Sequence, residues 1–285
     1  MTNPAGGAFV NNDHDLERIE SRQHAVVKRF RTLARAAAGS GGDVLLDGEH
    51  LLEEALAAGV SVDVAVFSHR KLDGSRSGPA LAERTRASGA RVLSARDDVF
   101  AAVSPVRQPS GVAAIARIES ADLTSLFGKG GVPPLVLVVA GVQDPGNVGA
   151  IIRSAAAFGA TGVVSTDGSA SPFGWKALRG AMGGTFRVPV AQGASIDGVL
   201  AEARAANVAV VAAVPAGGTP LPAARLDRGC AIVLGAEGAG VPDAAIAAAS
   251  VRLTIPVRGP VESLNVATAA ALILYEASRQ RENRR

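Results

Sequence analysis

The chain has 285 residues, 48% of them apolar, with 29 Lys and Arg against 26 Asp and Glu for a net charge of +3. That composition excludes a disordered chain and supplies enough length to bury a sizeable core and build two domains. The single cysteine, Cys230, excludes an internal disulfide framework and a Cys-based zinc site, and no apolar run reaches the roughly 20 residues of a membrane span, so a reducing cytoplasmic setting is expected.

Residues 1–20 are polar, lack periodicity and read as a disordered tail; Asp13, Asp15 and Glu17 do not fit the basic-then-apolar order of a signal peptide. The segment 21–117 predicts a small α/β domain. A basic helix over His24–Ala38 is followed by a strand at Val44–Leu46, a helix at Leu51–Ala58, a strand at Val62–Phe67, a helix near Leu81–Ser88, and strands at Val92–Leu93 and Gly111–Ile115. Residues 118–134 end in a Gly/Pro-rich run and have linker composition. From Leu135 a second block begins with Leu135-Val-Leu-Val-Val-Ala140, a continuous apolar run expected of a parallel strand covered on both faces. A helix over Val148–Phe158 and strands at Gly162–Ser165, Val208–Val214, Ala231–Leu234 and Val251–Ile255 continue the alternation and predict a parallel sheet with helices on both faces.

Three polar constellations punctuate the second block. Asn147 falls where an N-cap belongs, and on the helix behind it Arg153 projects away from the apolar face of Val148, Ile151, Ile152 and Ala155. Taken alone, these residues read as a plain cap and a solvated surface arginine. Ile232-Val-Leu-Gly-Ala-Glu-Gly-Ala-Gly-Val-Pro242 runs from a strand end into a Gly-rich loop with one carboxylate, Glu237. Its glycines are in the wrong order for a dinucleotide fingerprint, and the chain has no P-loop, which disfavours a Rossmann-type dehydrogenase. Finally, Leu253 to Glu276 passes from a short apolar strand through a Gly/Pro loop bearing Arg258, Glu262, Ser263 and Asn265 into an apolar helix. The four histidines show no metal-ligand spacing, and no metal is expected.

Asp144-Pro-Gly-Asn-Val-Gly-Ala-Ile-Ile-Arg-Ser-Ala, then Leu234-Gly-Ala-Glu-Gly, then Ile255-Pro with Val261-Glu-Ser-Leu-Asn-Val266 and Tyr275-Glu276, closely resemble the SpoU (TrmH-type) RNA ribose 2′-O-methyltransferases of the SPOUT superfamily. The match covers essentially all of the second block. The first block, through Ser21-Arg-Gln-His24, Val27-Lys-Arg29 and Leu46-Asp-Gly-Glu-His-Leu-Leu52, looks like the L30e-like α/β substrate-binding domain of the same family.

The resemblance implies an α/β C-terminal SPOUT domain over 135–285 with a parallel sheet and a deep trefoil knot, a feature that ordinary topology rules would argue against. It implies S-adenosylmethionine as methyl donor, held by Gly235, Ile255 and Leu264, with Asn147, Arg153, Glu237, Ser263 and Asn265 around the acceptor ribose. Because a guanidinium is effectively never deprotonated, the physical role expected of Arg153 is a phosphate and alkoxide clamp. A homodimer is implied, with Arg153 serving a site shared between subunits. The accessory domain favours rRNA (23S type) over tRNA as substrate. Arg22, Lys28, Arg29 and Arg31 in the first block, and Lys176, Arg179 and Arg187 in the second, are the candidate phosphate contacts; the last three read equally as surface charges. Ala181, Val257 and Pro260 depart from residues common in the family without removing a group assigned to chemistry.

Overall fold

The computed structural model describes residues 16–36, 41–128, 131–260 and 262–283, and places two sheets in succession along the chain. The first is a five-stranded mixed sheet of order β1-β4-β3-β5-β2, formed by β1 (Glu17–Ile19), β2 (Gly41–Asp47), β3 (Val62–Ser68), β4 (Arg91–Ala95) and β5 (Val112–Glu119). Strands β1, β4 and β3 run parallel, whereas β5 is antiparallel to both β3 and β2. Helix α1 (Ala25–Arg35) covers one face, seating Val27 and Phe30 on Leu45, Val66 and Ile115. The other face packs Leu46, Phe67 and Ala114 beneath α2 (Glu49–Ala57) and α4 (Ser77–Ala87), while α3 (His69–Asp73) and α5 (Asp97–Phe100) are short connectors.

Two boundaries differ from the sequence reading. Most of the expected tail lies outside the described residues, but Glu17–Ile19 form an edge strand pairing with Leu93–Ala95, and Ile19 is buried. Three residues carry too little periodicity to be legible as a strand. The expected linker is also structured. Asp122 caps α6 (Leu123–Leu126), Leu126 and Phe127 are buried against the second sheet, and the Ala121 amide donates to the Val190 carbonyl at 2.8 Å. Its polar composition marks the exposed side of a docked segment.

The second sheet has seven strands in the order β10-β12-β9-β11-β6-β7-β8, all parallel. They are β6 (Leu135–Ala140), β7 (Gly162–Thr166), β8 (Val190–Ala194), β9 (Ala209–Ala213), β10 (Thr219–Pro220), β11 (Cys230–Gly235) and β12 (Val251–Thr254). The uninterrupted apolar run of β6 has a direct cause. Leu135, Leu137 and Val139 face α7 (Pro145–Ala157), α8 (Trp175–Ala181) and α11 (Val266–Glu282), while Val136, Val138 and Ala140 face α9 (Ile196–Ala205) and α10 (Asp243–Ala248). Each fully buried Leu, Ile or Val there contributes about 1.5–3 kcal/mol. Helices α7 and α8 meet at glycines: a Cβ on Gly149 would lie 2.3 Å from the Ala177 carbonyl oxygen.

Strand β6 continues through β7 to β8 on one side, and the chain then crosses to β9 and β11 on the other. The order therefore reverses between β6 and β11, and the loops leaving these neighbours diverge. In open α/β sheets such a reversal opens a crevice at the carboxyl ends of the strands, where ligands bind. No helix among the described residues is long and apolar enough to cross a membrane.

Candidate active site

Each polar constellation leaves the carboxyl end of a strand. Asp144, not Asn147, caps α7: its Oδ1 accepts from the Asn147 amide at 2.8 Å, and Pro145 occupies the first helical position where no N–H is needed. The cap is therefore three residues earlier than the sequence reading placed it. The Asn147 side chain, freed from capping, reaches across the crevice. Its Nδ2 donates to Glu237 Oε1 at 3.1 Å.

Asn265 caps α11, its Oδ1 accepting from the Ala267 and Thr268 amides at 2.9 and 3.4 Å. Because those backbone groups are donors, the amide orientation is fixed and Nδ2 must turn outward. It donates to Glu237 Oε1 at 3.0 Å and to Asn147 Oδ1 at 3.1 Å. Three side chains, from the first turn of α7, the loop after β11 and the N-cap of α11, thus close a hydrogen-bonded ring in which Glu237 acts as acceptor to two amides. Glu237 and Asn265 are exposed and Asn147 is half-buried, so the ring stays open to a ligand on its outer side.

Gly235 makes the Glu237 loop possible. A Cβ there would lie 2.0 Å from the Gly240 carbonyl carbon and 2.2 Å from the Val241 nitrogen, because the loop folds back with Gly240 N–H donating to the Ala236 carbonyl. The loop separates two cavities and lines both. On the side of β9 and β12 lies a pocket of about 460 Å³, with Leu234, Gly235, Ile255, Val257, Leu264 and Ile273 in its walls and Glu237, Glu262 and Ser263 at its polar edge. On the side of β6 and β7 lies a cleft of about 800 Å³, lined by Asp144, Asn147, Asp167, Ser195 and again Glu237. Both volumes fall within the usual range for small-molecule sites.

The three residues expected at the methyl donor, Gly235, Ile255 and Leu264, all line the smaller pocket. Ser263 lines it too and is exposed, with no hydrogen-bond partner among the described residues; Val261 lies outside them. Arg153 stands apart. It is six residues beyond Asn147, roughly 9 Å along the helix and about 120° around it, exposed and without an ion pair among the described residues. Val257 and Glu262 also line the pocket, and the only sequence signal for them was their membership of the loop.

The expected RNA contacts divide. Lys28 and Arg31 are exposed on α1, and Arg22 is exposed with its guanidinium on the Asp98 carbonyl. Lys176 is exposed over the Trp175 ring at 5.5 Å. Arg29, however, is held by Asp43 and Asp63. Arg187 bonds Glu54 at 2.6 Å, and Arg179 lies 3.7 Å from the largely buried Asp47; with the Trp175 indole donating to the Ala34 carbonyl at 3.2 Å, these contacts join the two blocks. Burial pushes the Asp47 carboxyl above its ordinary range, against the Ser104 hydroxyl and Arg179, which lower it. At the C-terminus, Arg281 is likewise committed, donating to the carbonyls of Pro133, Pro134, Leu226 and Arg228.

An all-parallel α/β sheet with divergent loops, a pocket at its strand ends and a carboxylate held between two amides defines a ligand-binding enzyme of the doubly wound class. Neither cavity is lined by lysine or arginine. The chain belongs to the SpoU rRNA Methylase family, whose model matches residues 134–275. It is 32% identical over 262 residues to the 23S rRNA (guanosine(2553)-2′-O)-methyltransferase RlmP of Bacillus subtilis, covering 91% of this chain and 98% of that one. It is 31% identical over 238 residues to the 23S rRNA (guanosine-2′-O-)-methyltransferase RlmB of Coxiella burnetii, covering 82% and 95%. Among solved structures, an AdoMet-bound rRNA methyltransferase from Sinorhizobium meliloti superposes with a TM-score of 0.80 at 28% identity, over 93% of this chain and 98% of that one.

Proposed function

We propose that this protein transfers a methyl group from S-adenosylmethionine to a ribose 2′-hydroxyl in structured RNA, with 23S-type rRNA favoured over tRNA. The observation that carries the reading is the ring of Asn147, Glu237 and Asn265 at the rim of the pocket formed by Gly235, Ile255 and Leu264. The pocket suits the donor. Its apolar walls accept an adenine, and the Glu237 and Glu262 carboxylates at its edge suit a cationic sulfonium. The family membership and the AdoMet-bound relative support the same assignment.

When bound, S-adenosylmethionine supplies an electrophilic methyl group on sulfur. The protein's task is to orient the 2′-hydroxyl and stabilise its oxygen as the proton leaves. Asn147, Asn265 and Glu237 present donors and an acceptor at the rim, and Ser263 adds a hydroxyl. Arg153 supplies a guanidinium suited to clamp the adjacent phosphate and the developing alkoxide, since it cannot serve as a base at neutral pH. Ala236, Glu237 and Val241 from one loop and Ile255, Val257, Ser263 and Leu264 from the other wall one pocket, the arrangement expected if these loops form the family's trefoil knot. The exposure of Leu272 and Tyr275 on α11, beside the α7 helix that carries Arg153, supports a homodimer with a shared site. The first block is assigned RNA binding through Arg22, Lys28 and Arg31, joined from the second by Lys176, in a cytoplasmic protein.

Calorimetry with S-adenosylmethionine, followed by tritiated-methyl transfer to total rRNA and tRNA, tests the assignment. Micromolar binding and alkali-resistant label in rRNA are the expected results. Absence of both binding and transfer overturns the reading.

A further inference from the structure

The smaller pocket accounts for a methyl donor, but nothing above uses the larger cleft on the other side of the Glu237 loop. That cleft occupies the crevice where the strand order reverses, between the loops leaving β6 and β11. It shares Ala236, Glu237 and Gly240 with the donor pocket and includes Asn147, so the hydrogen-bonded ring stands at the boundary between the two cavities. A nucleoside whose ribose lies at the ring and whose 2′-hydroxyl faces the donor has its base on the cleft side.

The lining of the cleft specifies which base. Of its carboxylates, Asp144 is committed to the α7 cap and Glu237 to the two amides. Asp167, at the end of β7, is exposed and has neither ion pair nor side-chain hydrogen bond among the described residues. With no lysine or arginine in the lining, the cleft offers a carboxylate to neutral hydrogen-bond donors and no cationic side chain to a phosphate. An ionised carboxylate only accepts. Guanine alone among the four bases presents two adjacent donors, N1–H and the N2 amino group, on its Watson–Crick edge. Adenine and cytosine set an amino group beside a ring acceptor, and uracil flanks one N–H with two carbonyls, so each would direct a lone pair at the carboxylate. Unstacked RNA bases are commonly read on this edge.

We infer that the cleft receives the base of the acceptor nucleotide and that Asp167 makes the enzyme selective for guanosine by accepting from guanine N1–H and N2–H. The inference rests on the 2′-O-methylation reading and extends it to the identity of the nucleotide. The test begins by mapping the ribose-methylated position in rRNA treated with the full-length protein. The expected position is a guanosine. Asp167→Asn, an isosteric change at an exposed position, is then compared with the wild type on an RNA fragment carrying that guanosine or an inosine in its place. The wild type should lose roughly tenfold or more in kcat/KM on inosine, which lacks the N2 amino group. The variant should lose at least as much on guanosine and no longer distinguish the two, while its affinity for S-adenosylmethionine is unchanged. Methylation at a nucleotide other than guanosine, or wild-type kcat/KM in the variant, overturns the base assignment and leaves the methyltransferase reading intact. Absence of ribose methylation by the wild type removes both.

Discussion

Asn265 has two separable duties, and two substitutions distinguish them. Its Oδ1 caps α11 and its Nδ2 bridges Glu237 and Asn147, four hydrogen bonds in all. Asn265→Ala removes everything: about 1 kcal/mol for the cap and about 0.5–1 kcal/mol for each exposed side-chain bond, or roughly 2 kcal/mol in total. In a chain of this size that lowers Tm by about 4–8 °C. Asn265→Asp keeps the cap, since aspartate is an equally good N-cap, but sets a second carboxylate about 3 Å from Glu237 Oε1. The repulsion raises the folded-state pKa of the pair above its unfolded value, so the folded protein binds more protons. Stability relative to wild type is therefore retained at low pH and lost as pH rises through the carboxylate range. The loss is about 1 kcal/mol at these exposed positions. Thermal unfolding at several pH values, with methyl transfer measured on the same samples, is the assay. An Asn265→Asp protein with wild-type Tm at both pH 5 and pH 8 refutes the ring, and an Asn265→Ala protein with unchanged Tm refutes the cap.

Gly235→Ala should weaken S-adenosylmethionine binding at least tenfold, because its Cβ meets backbone atoms of Gly240 and Val241 that no rotamer change can move; calorimetry giving a wild-type Kd refutes the close approach. Asp47→Asn should raise Tm at neutral pH. The raised folded-state pKa means that the wild type pays for an ionised, largely buried carboxylate there and recovers that stability as pH falls towards the unfolded value, so the advantage of the variant should shrink on acidification; a pH-independent difference would point to a cause other than ionisation. Arg281→Ala should cost about 2 kcal/mol by unpairing carbonyls around Pro133 and Leu226, with chemical denaturation as the measure and a loss below about 0.5 kcal/mol as the contrary result. Arg187→Ala should cost less than about 1 kcal/mol, since the arginine is half exposed and its pair with Glu54 is screened; a loss of several kcal/mol would show that the junction between the blocks depends on it.

The amino-acid sequence by itself determined the parallel α/β architecture of the second block. Its strands are buried on both faces, and that requirement writes continuous apolar runs such as Leu135–Ala140 into the chain. It also placed Glu237, Ser263 and Asn265 in polar segments after strands and Asn147 at the start of a helix, because polar residues between apolar elements are visible locally. Tertiary structure alone decided what those residues touch. Asn147 meets Glu237 across 90 positions and Asn265 across 118, and it was Asp144 that took the cap, leaving the asparagine side chain free. Arg29, Arg179 and Arg187 looked available for phosphate, but the fold brings carboxylates from distant elements to them. The residues of 118–134 looked like a linker, yet Leu126 and Phe127 are buried beneath the second sheet. Backbone periodicity is a local property and can be read from neighbours in sequence, whereas the partner of a charge or an amide depends on which strands the chain sets side by side.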